Sequence, residues 1–73
     1  MLIVYTKPGC MPCKMTRRKL DEMGVDYETR DVIGDDAAMD EVRALGYREM
    51  PVVVNGQDHW SGFRPDNINE VAG

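Results

Sequence analysis

Cys10 and Cys13 are the only cysteines in the chain, and two residues separate them. As a covalent staple the pair would be weak, because closing a four-residue loop contributes only roughly 2 kcal/mol, near the low end for crosslinks. The spacing suits thiol–disulfide exchange better, since two sulfurs one helical turn apart can alternate between a dithiol and a disulfide. The nucleophile in such chemistry is the thiolate, and an ordinary thiol with a pKa of about 8.5 is only a few per cent ionised at neutral pH. Lowering that value by about 1.5 units makes the thiol about half ionised and requires about 2 kcal/mol. A helix N-terminus supplies roughly 0.3 to 1 kcal/mol, and up to about 2 when partly buried. An ammonium group nearby, Lys7 or Lys14, can add the remainder. On this reading Cys10 attacks a substrate disulfide, and the more shielded Cys13 then displaces the substrate from Cys10.

The elements that must hold this pair follow from the residue pattern. Leu2 to Thr6 is a short apolar, β-branched run that reads as a strand buried on both faces. Lys7-Pro8-Gly9 breaks it, and Pro12 suits the first turn of a helix running from about Met11 to Met23, with Met11, Met15, Leu20 and Met23 as its apolar positions and Gly24 as its stop. Val25 to Val32 alternates in the manner of a strand with one wet face. Asp35 or Asp36 caps a second helix whose stripe is Ala38, Val42 and Leu45 and whose end is Gly46. Pro51 opens the apolar strand Val52-Val53-Val54, Asn55-Gly56 signals a hairpin, and the return strand runs from Gln57 to Trp60. Pro65 begins a last helix that carries Ile68 and Val71 inward and ends near Ala72. The order β-α-β-α-β-β-α predicts an α/β fold: a four-stranded mixed sheet lying between three helices, with one parallel right-handed unit and an antiparallel hairpin.

At 73 residues the chain has room for one small core, so residues 1–73 are read as a single domain. The net charge of -4 argues against nucleic-acid binding through a basic surface. The charge is unevenly spread: residues 1–20 carry Lys7, Lys14, Arg17, Arg18 and Lys19 and no acid. The segment that holds the cysteines is therefore positive, which favours partners presenting acidic surface. No apolar run approaches the 18 or more residues of a membrane span, and the start of the chain lacks a basic flank and a cleavage site, so the expectation is a cytoplasmic protein. A zinc site usually takes four ligands, and beyond the cysteine pair the sequence offers only His59, which reads as an exposed strand residue. Met11 and Met15 read as core or rim packing, and Asp35, Asp36, Asp40 and Glu41 as helix-end charge. We expect a monomer without metal or cofactor.

The stretch YTKPGCMPC from Tyr5 to Cys13, Met50-Pro51-Val52-Val53-Val54, and the run WSGFRPD from Trp60 to Asp66 together resemble the NrdH-redoxins, small glutaredoxin-like proteins, over essentially the whole chain. The resemblance implies a thioredoxin fold and a dithiol/disulfide cycle. It also implies electron delivery to the large subunit of class Ib ribonucleotide reductase, with re-reduction by thioredoxin reductase rather than by glutathione. It makes Cys10 the nucleophile, Cys13 the resolving cysteine and Lys7 the loop lysine. It places a cis bond at Met50-Pro51, which a general X–Pro frequency of about 5 to 6% would not license by itself. Trp60, Ser61, Gly62, Phe63 and Arg64 resemble the family's patch beside the active site, and Met11, Met50 and Pro51 join them as candidate partner contacts, with closure of the small core the equal alternative for Trp60 and Phe63. Pro12 departs from the polar residue often found before the second cysteine, and deletes an N–H that could stabilise a thiolate. The Gly-Gly pair with which glutathione-using glutaredoxins hold the tripeptide is absent, so weak glutathione binding is expected. Two alternatives stay open: a glutathione-dependent glutaredoxin, and a metal or iron-sulfur carrier using the cysteine pair.

Overall fold

A computed structural model describes residues 2–72. Strand β1 (Leu2–Thr6) is the centre of the architecture, because its side chains alternate between two cores. Leu2 and Val4 face one core with Leu20, Val53, Trp60 and Ile68, whereas Tyr5 faces the other with Val32, Ala38, Val42 and Val52. The remaining elements are α1 (Met11–Glu22), β2 (Glu28–Asp31), α2 (Asp36–Ala44), β3 (Val52–Asn55), β4 (Asp58–Ser61) and α3 (Pro65–Ala72). The sheet order is β2-β1-β3-β4, with β1 parallel to β2 and antiparallel to β3, and β3 antiparallel to β4. Helices α1 and α3 contribute to the first core and α2 to the second, so the mixed sheet lies between helical layers as its pattern predicts.

Three expectations need correction. The inward stripe of α1 is Cys13, Thr16 and Leu20, while Met11 and Met15 are exposed. At 3.6 residues per turn, Met11 lies about 180° round the helix from Leu20, whereas Cys13 lies within about 20° of it. Strand β2 is shorter than the run Val25–Val32, and Glu28, Thr29 and Asp31 are all exposed. The N–H of Val25 is committed to the end of α1: it donates to the Leu20 carbonyl (3.0 Å) while the Gly24 N–H donates to Asp21 (3.1 Å). With Gly24 at φ +69° this is the Schellman arrangement, so the chain must leave the helix before it can join the ladder at Glu28. Leu45 caps α2 and is exposed instead of completing its stripe.

The hairpin is offset by one residue. Asn55 pairs with Asp58 inside the ladder, leaving Gly56 and Gln57 as the loop. Gly56 has φ +63° and, among the described residues, no non-glycine residue has positive φ, the pattern of a type II′ turn with glycine at its first central position. The return strand accordingly ends at Ser61, beside β3 residue Val52.

Candidate redox site

The end of β1 and the start of α1 meet at Cys10. Its backbone is extended (φ -100°, ψ 106°), which makes it the N-cap of α1, and its sulfur accepts a hydrogen bond from the Cys13 N–H at 3.2 Å. The Lys14 N–H donates to the Cys10 carbonyl at 3.2 Å, closing the first turn. Pro12 lies within that turn, where a missing N–H removes no intrahelical bond. Cys10 and Cys13 are joined as a disulfide with their Cα atoms 5.2 Å apart, within the usual span for such a bond. Cys10 is 5% exposed and Cys13 1%, so both sulfurs are buried and Cys10 lies marginally nearer the surface.

A second segment faces Cys10 from the other side. The Met50-Pro51 bond is cis, and the Met50 carbonyl oxygen lies 3.6 Å from the Cys10 sulfur, where a reduced thiol would find an acceptor. Met50 and Pro51 are themselves buried. Two hydrogen bonds tie their segment to the last residue of β4 and the residue after it. The Ser61 hydroxyl donates to the Glu49 carbonyl (2.7 Å), and the Gly62 N–H donates to the Pro51 carbonyl (2.8 Å). Ser61 and Gly62 therefore hold the Met50-Pro51 segment in place.

Trp60 and Phe63 lie elsewhere. Trp60, 8% exposed, belongs to the core beneath α1 and α3, and Phe63 packs against the same cluster. Trp60 lines a cleft of about 290 Å³ with Asp58, Asn67 and Glu70 that does not include the cysteines. Arg64 is exposed, and its carbonyl accepts from the Ile68 N–H at the start of α3. Met11 is exposed on the first turn of α1.

Lys7 and Lys14, both exposed, line a groove of about 230 Å³ together with Cys10, Thr6, Arg17 and Asp31. Arg17 enters the sequence reading only as one base of the positive segment, and Asp31 does not enter it. Arg17 follows Cys10 by seven residues, close to two helical turns, so helical periodicity alone could have placed it there. Asp31 reaches the groove because it pairs with Thr6 across the parallel ladder, a register that the sequence does not display. Among the described residues no group of three or more His, Cys, Asp and Glu side chains comes together as a metal-ligand set.

Behind the cysteines a polar network fastens α2 to the sheet. Tyr5 donates from its hydroxyl to Glu41 (2.8 Å), and Arg30 pairs with Glu41 and with Asp35 (3.3 Å) while lying 5.6 Å from the Tyr5 ring centre. Burial, with the bond to Glu41 second, raises the Tyr5 pKa. The backbone N–H of Ala38, with Arg30 second, lowers that of Asp35, the N-cap of α2.

Thiol–disulfide exchange on a thioredoxin-type fold is the class that these features define. The chain matches the glutaredoxin family model over residues 2–60. It is 40% identical over 70 residues to the glutaredoxin-like protein NrdH of Escherichia coli strain K12, a match covering 96% of this chain and 86% of that protein. NrdH of Lactococcus lactis subsp. lactis strain IL1403 is 31% identical over 72 residues, covering 99% of this chain and 100% of the relative. The solved structure of NrdH-redoxin from Escherichia coli superposes with a TM-score of 0.92 at 40% identity, over 96% of this chain and 92% of that one. The chain belongs to the glutaredoxin family, among its NrdH-type glutaredoxin-like members, and its fold is the thioredoxin fold. No helix is long and apolar enough to cross a membrane among the described residues.

Proposed function

We propose that the chain is a cytoplasmic dithiol electron donor that reduces the large subunit of a class Ib ribonucleotide reductase and is itself re-reduced by thioredoxin reductase. The observation that carries this reading is the position of the Cys10 sulfur at the N-cap of α1, accepting from the Cys13 N–H. A thiolate there receives a charge-assisted hydrogen bond and the positive end of the helix dipole, and both favour ionisation. Lys7 and Lys14 line the same groove and add positive potential beside the sulfur.

In the cycle, the Cys10 thiolate attacks one sulfur of the substrate disulfide. A mixed disulfide forms, and the other substrate sulfur leaves as a thiolate that takes a proton from water. Cys13, deprotonated, then attacks the Cys10 sulfur, which forms the Cys10–Cys13 bond and expels the second substrate thiolate. Two electrons pass from the chain to the substrate. Met11, exposed beside Cys10 in the sequence on the first turn of α1, and the Met50 backbone are the partner-facing groups of the site, and Ser61 and Gly62 position the latter. Trp60 and Phe63 belong to the core on the other face of the sheet, and the Arg64 carbonyl accepts at the start of α3, so these three residues have no part in the exchange step.

The test offers the oxidised protein either thioredoxin reductase with NADPH or glutathione with glutathione reductase and NADPH. Fast NADPH oxidation in the first system and slow oxidation in the second is the expected result. Rapid turnover with glutathione alone would establish the glutathione-dependent alternative instead.

A further inference from the structure

Thr16 is fully buried on the inward stripe of α1, and its hydroxyl finds no hydrogen-bond partner among the described residues. A threonine inside a helix usually satisfies its hydroxyl by bonding to the carbonyl four residues back, and Thr16 does not make that bond to Pro12. An unmet polar group in a core is unfavourable, so one that persists calls for an explanation. Its neighbour on the stripe is Cys13, three residues earlier, and helical side chains lean toward the N-terminal turn that Cys13 occupies.

The other groups around Cys13 are already committed. Its own N–H donates to the Cys10 sulfur, and the Tyr5 hydroxyl, from the strand beneath, donates to Glu41 of α2. Val32 just after β2, Ala38, Met39 and Val42 of α2, and Val52 and Val54 of β3 pack in or against this cluster, and none of them titrates or donates through a side chain. Cys10, Tyr5 and, at the edge of the cluster, Tyr47 are the titratable members around Cys13, with Glu41 behind Tyr5 and the Tyr47 hydroxyl bonded to His59. In the disulfide the Cys13 sulfur is a poor acceptor, whereas as a thiolate it is a strong one.

We propose that Thr16 is the positioning residue for the resolving cysteine: its hydroxyl, idle in the disulfide, donates a hydrogen bond to the Cys13 thiolate of the reduced and mixed-disulfide forms. The hydroxyl keeps its proton throughout, and the Cys13 proton goes to water. The effect is to make Cys13 easier to ionise when it must displace substrate from Cys10. This rests on the proposed roles of the two cysteines, but its test requires no partner protein.

In a Cys10→Ser background, Cys13 is the only thiol, and its ionisation is followed by thiolate absorbance near 240 nm against pH. Thr16→Val, which keeps the shape and removes the hydroxyl, raises the midpoint by about one pH unit, the tenfold change expected for a lost hydrogen bond to a charged group. Thr16→Ser, which keeps the hydroxyl, restores the original midpoint. With both cysteines present, Thr16→Val leaves the disulfide form at least as resistant to urea as the parent. An unchanged midpoint in Thr16→Val, or a disulfide form weakened by that substitution, overturns the proposal. Failure of the thioredoxin reductase assay with an intact Thr16 effect would overturn the proposed electron path alone.

Discussion

Ile68→Ala tests whether the two faces of the sheet carry separate tasks. Ile68 is fully buried in the cluster formed with Leu2, Val4, Leu20, Val53 and Trp60, and the cysteines belong to the opposite cluster. The substitution removes three carbons, about 2.4 kcal/mol at about 0.8 kcal/mol each. A residual cavity adds to this, giving about 3 to 4 kcal/mol in all. At roughly 0.05 to 0.15 kcal/mol per residue, a domain of this size has only about 4 to 11 kcal/mol in total. The loss is thus about a quarter of the whole or more and should lower the melting temperature by roughly 15 to 25 °C. Urea unfolding of the oxidised protein, followed by far-ultraviolet circular dichroism, measures it. Val42→Ala, in the cysteine cluster, removes two carbons and costs about 2 to 3 kcal/mol. Because its void lies on the cysteine side, it should also change how fast reduced Cys10 is alkylated, whereas Ile68→Ala should not. A cost below about 1 kcal/mol for Ile68→Ala, or an equal change in alkylation from both variants, would refute the division of the cores.

Three further outcomes follow from the site and its supports. Asp35 accepts from the Ala37 and Ala38 N–H groups and pairs with Arg30, and its pKa is lowered from 3.8. Its stabilising contribution is therefore complete above the unfolded carboxylate value and is lost as pH falls through the lower folded one. Asp35→Ala should destabilise the protein at neutral pH and flatten the acid limb of urea midpoint against pH; an unaltered limb would remove Asp35 from the account. Cys13→Ser should trap a partner covalently through Cys10 while Cys10→Ser traps none, as read on non-reducing gels, and equal trapping by both would reverse or dissolve the assigned roles. Because Lys7, Lys14 and Arg17 surround the groove, the reduction rate of an acidic partner should fall as ionic strength rises, and a salt-independent rate would reject electrostatic steering.

Much of the scaffold is legible in the residues. Leu2–Thr6, the Pro12 turn, the Pro51 strand and the Pro65 helix carry local signals strong enough to fix their elements, and the cysteine pair announces its own chemistry. What escapes is whatever depends on a hydrogen bond between distant residues or on a helical phase. Val25 alternates like a strand residue, yet its N–H closes the end of α1. Met11 and Met15 are apolar but stand on the wrong side of the helix, leaving Cys13 and Thr16 as the inward residues. Trp60 and Phe63 fall within a motif that resembles a partner patch, core closure is the equal alternative on sequence, and it is the packing under α3 that decides for the core. Asp31 joins the groove only through the parallel register with Thr6.

The central claim is that the N-cap position makes Cys10 ionise more readily than an ordinary thiol. The direct measurement is the rate of iodoacetamide alkylation at Cys10 in the reduced protein as a function of pH, with the modified residue identified by peptide mass. The expected midpoint lies clearly below the ordinary thiol value of about 8.5, with Cys10 modified before Cys13. A midpoint at or above that value, or no modification of Cys10 in the folded protein, would contradict it.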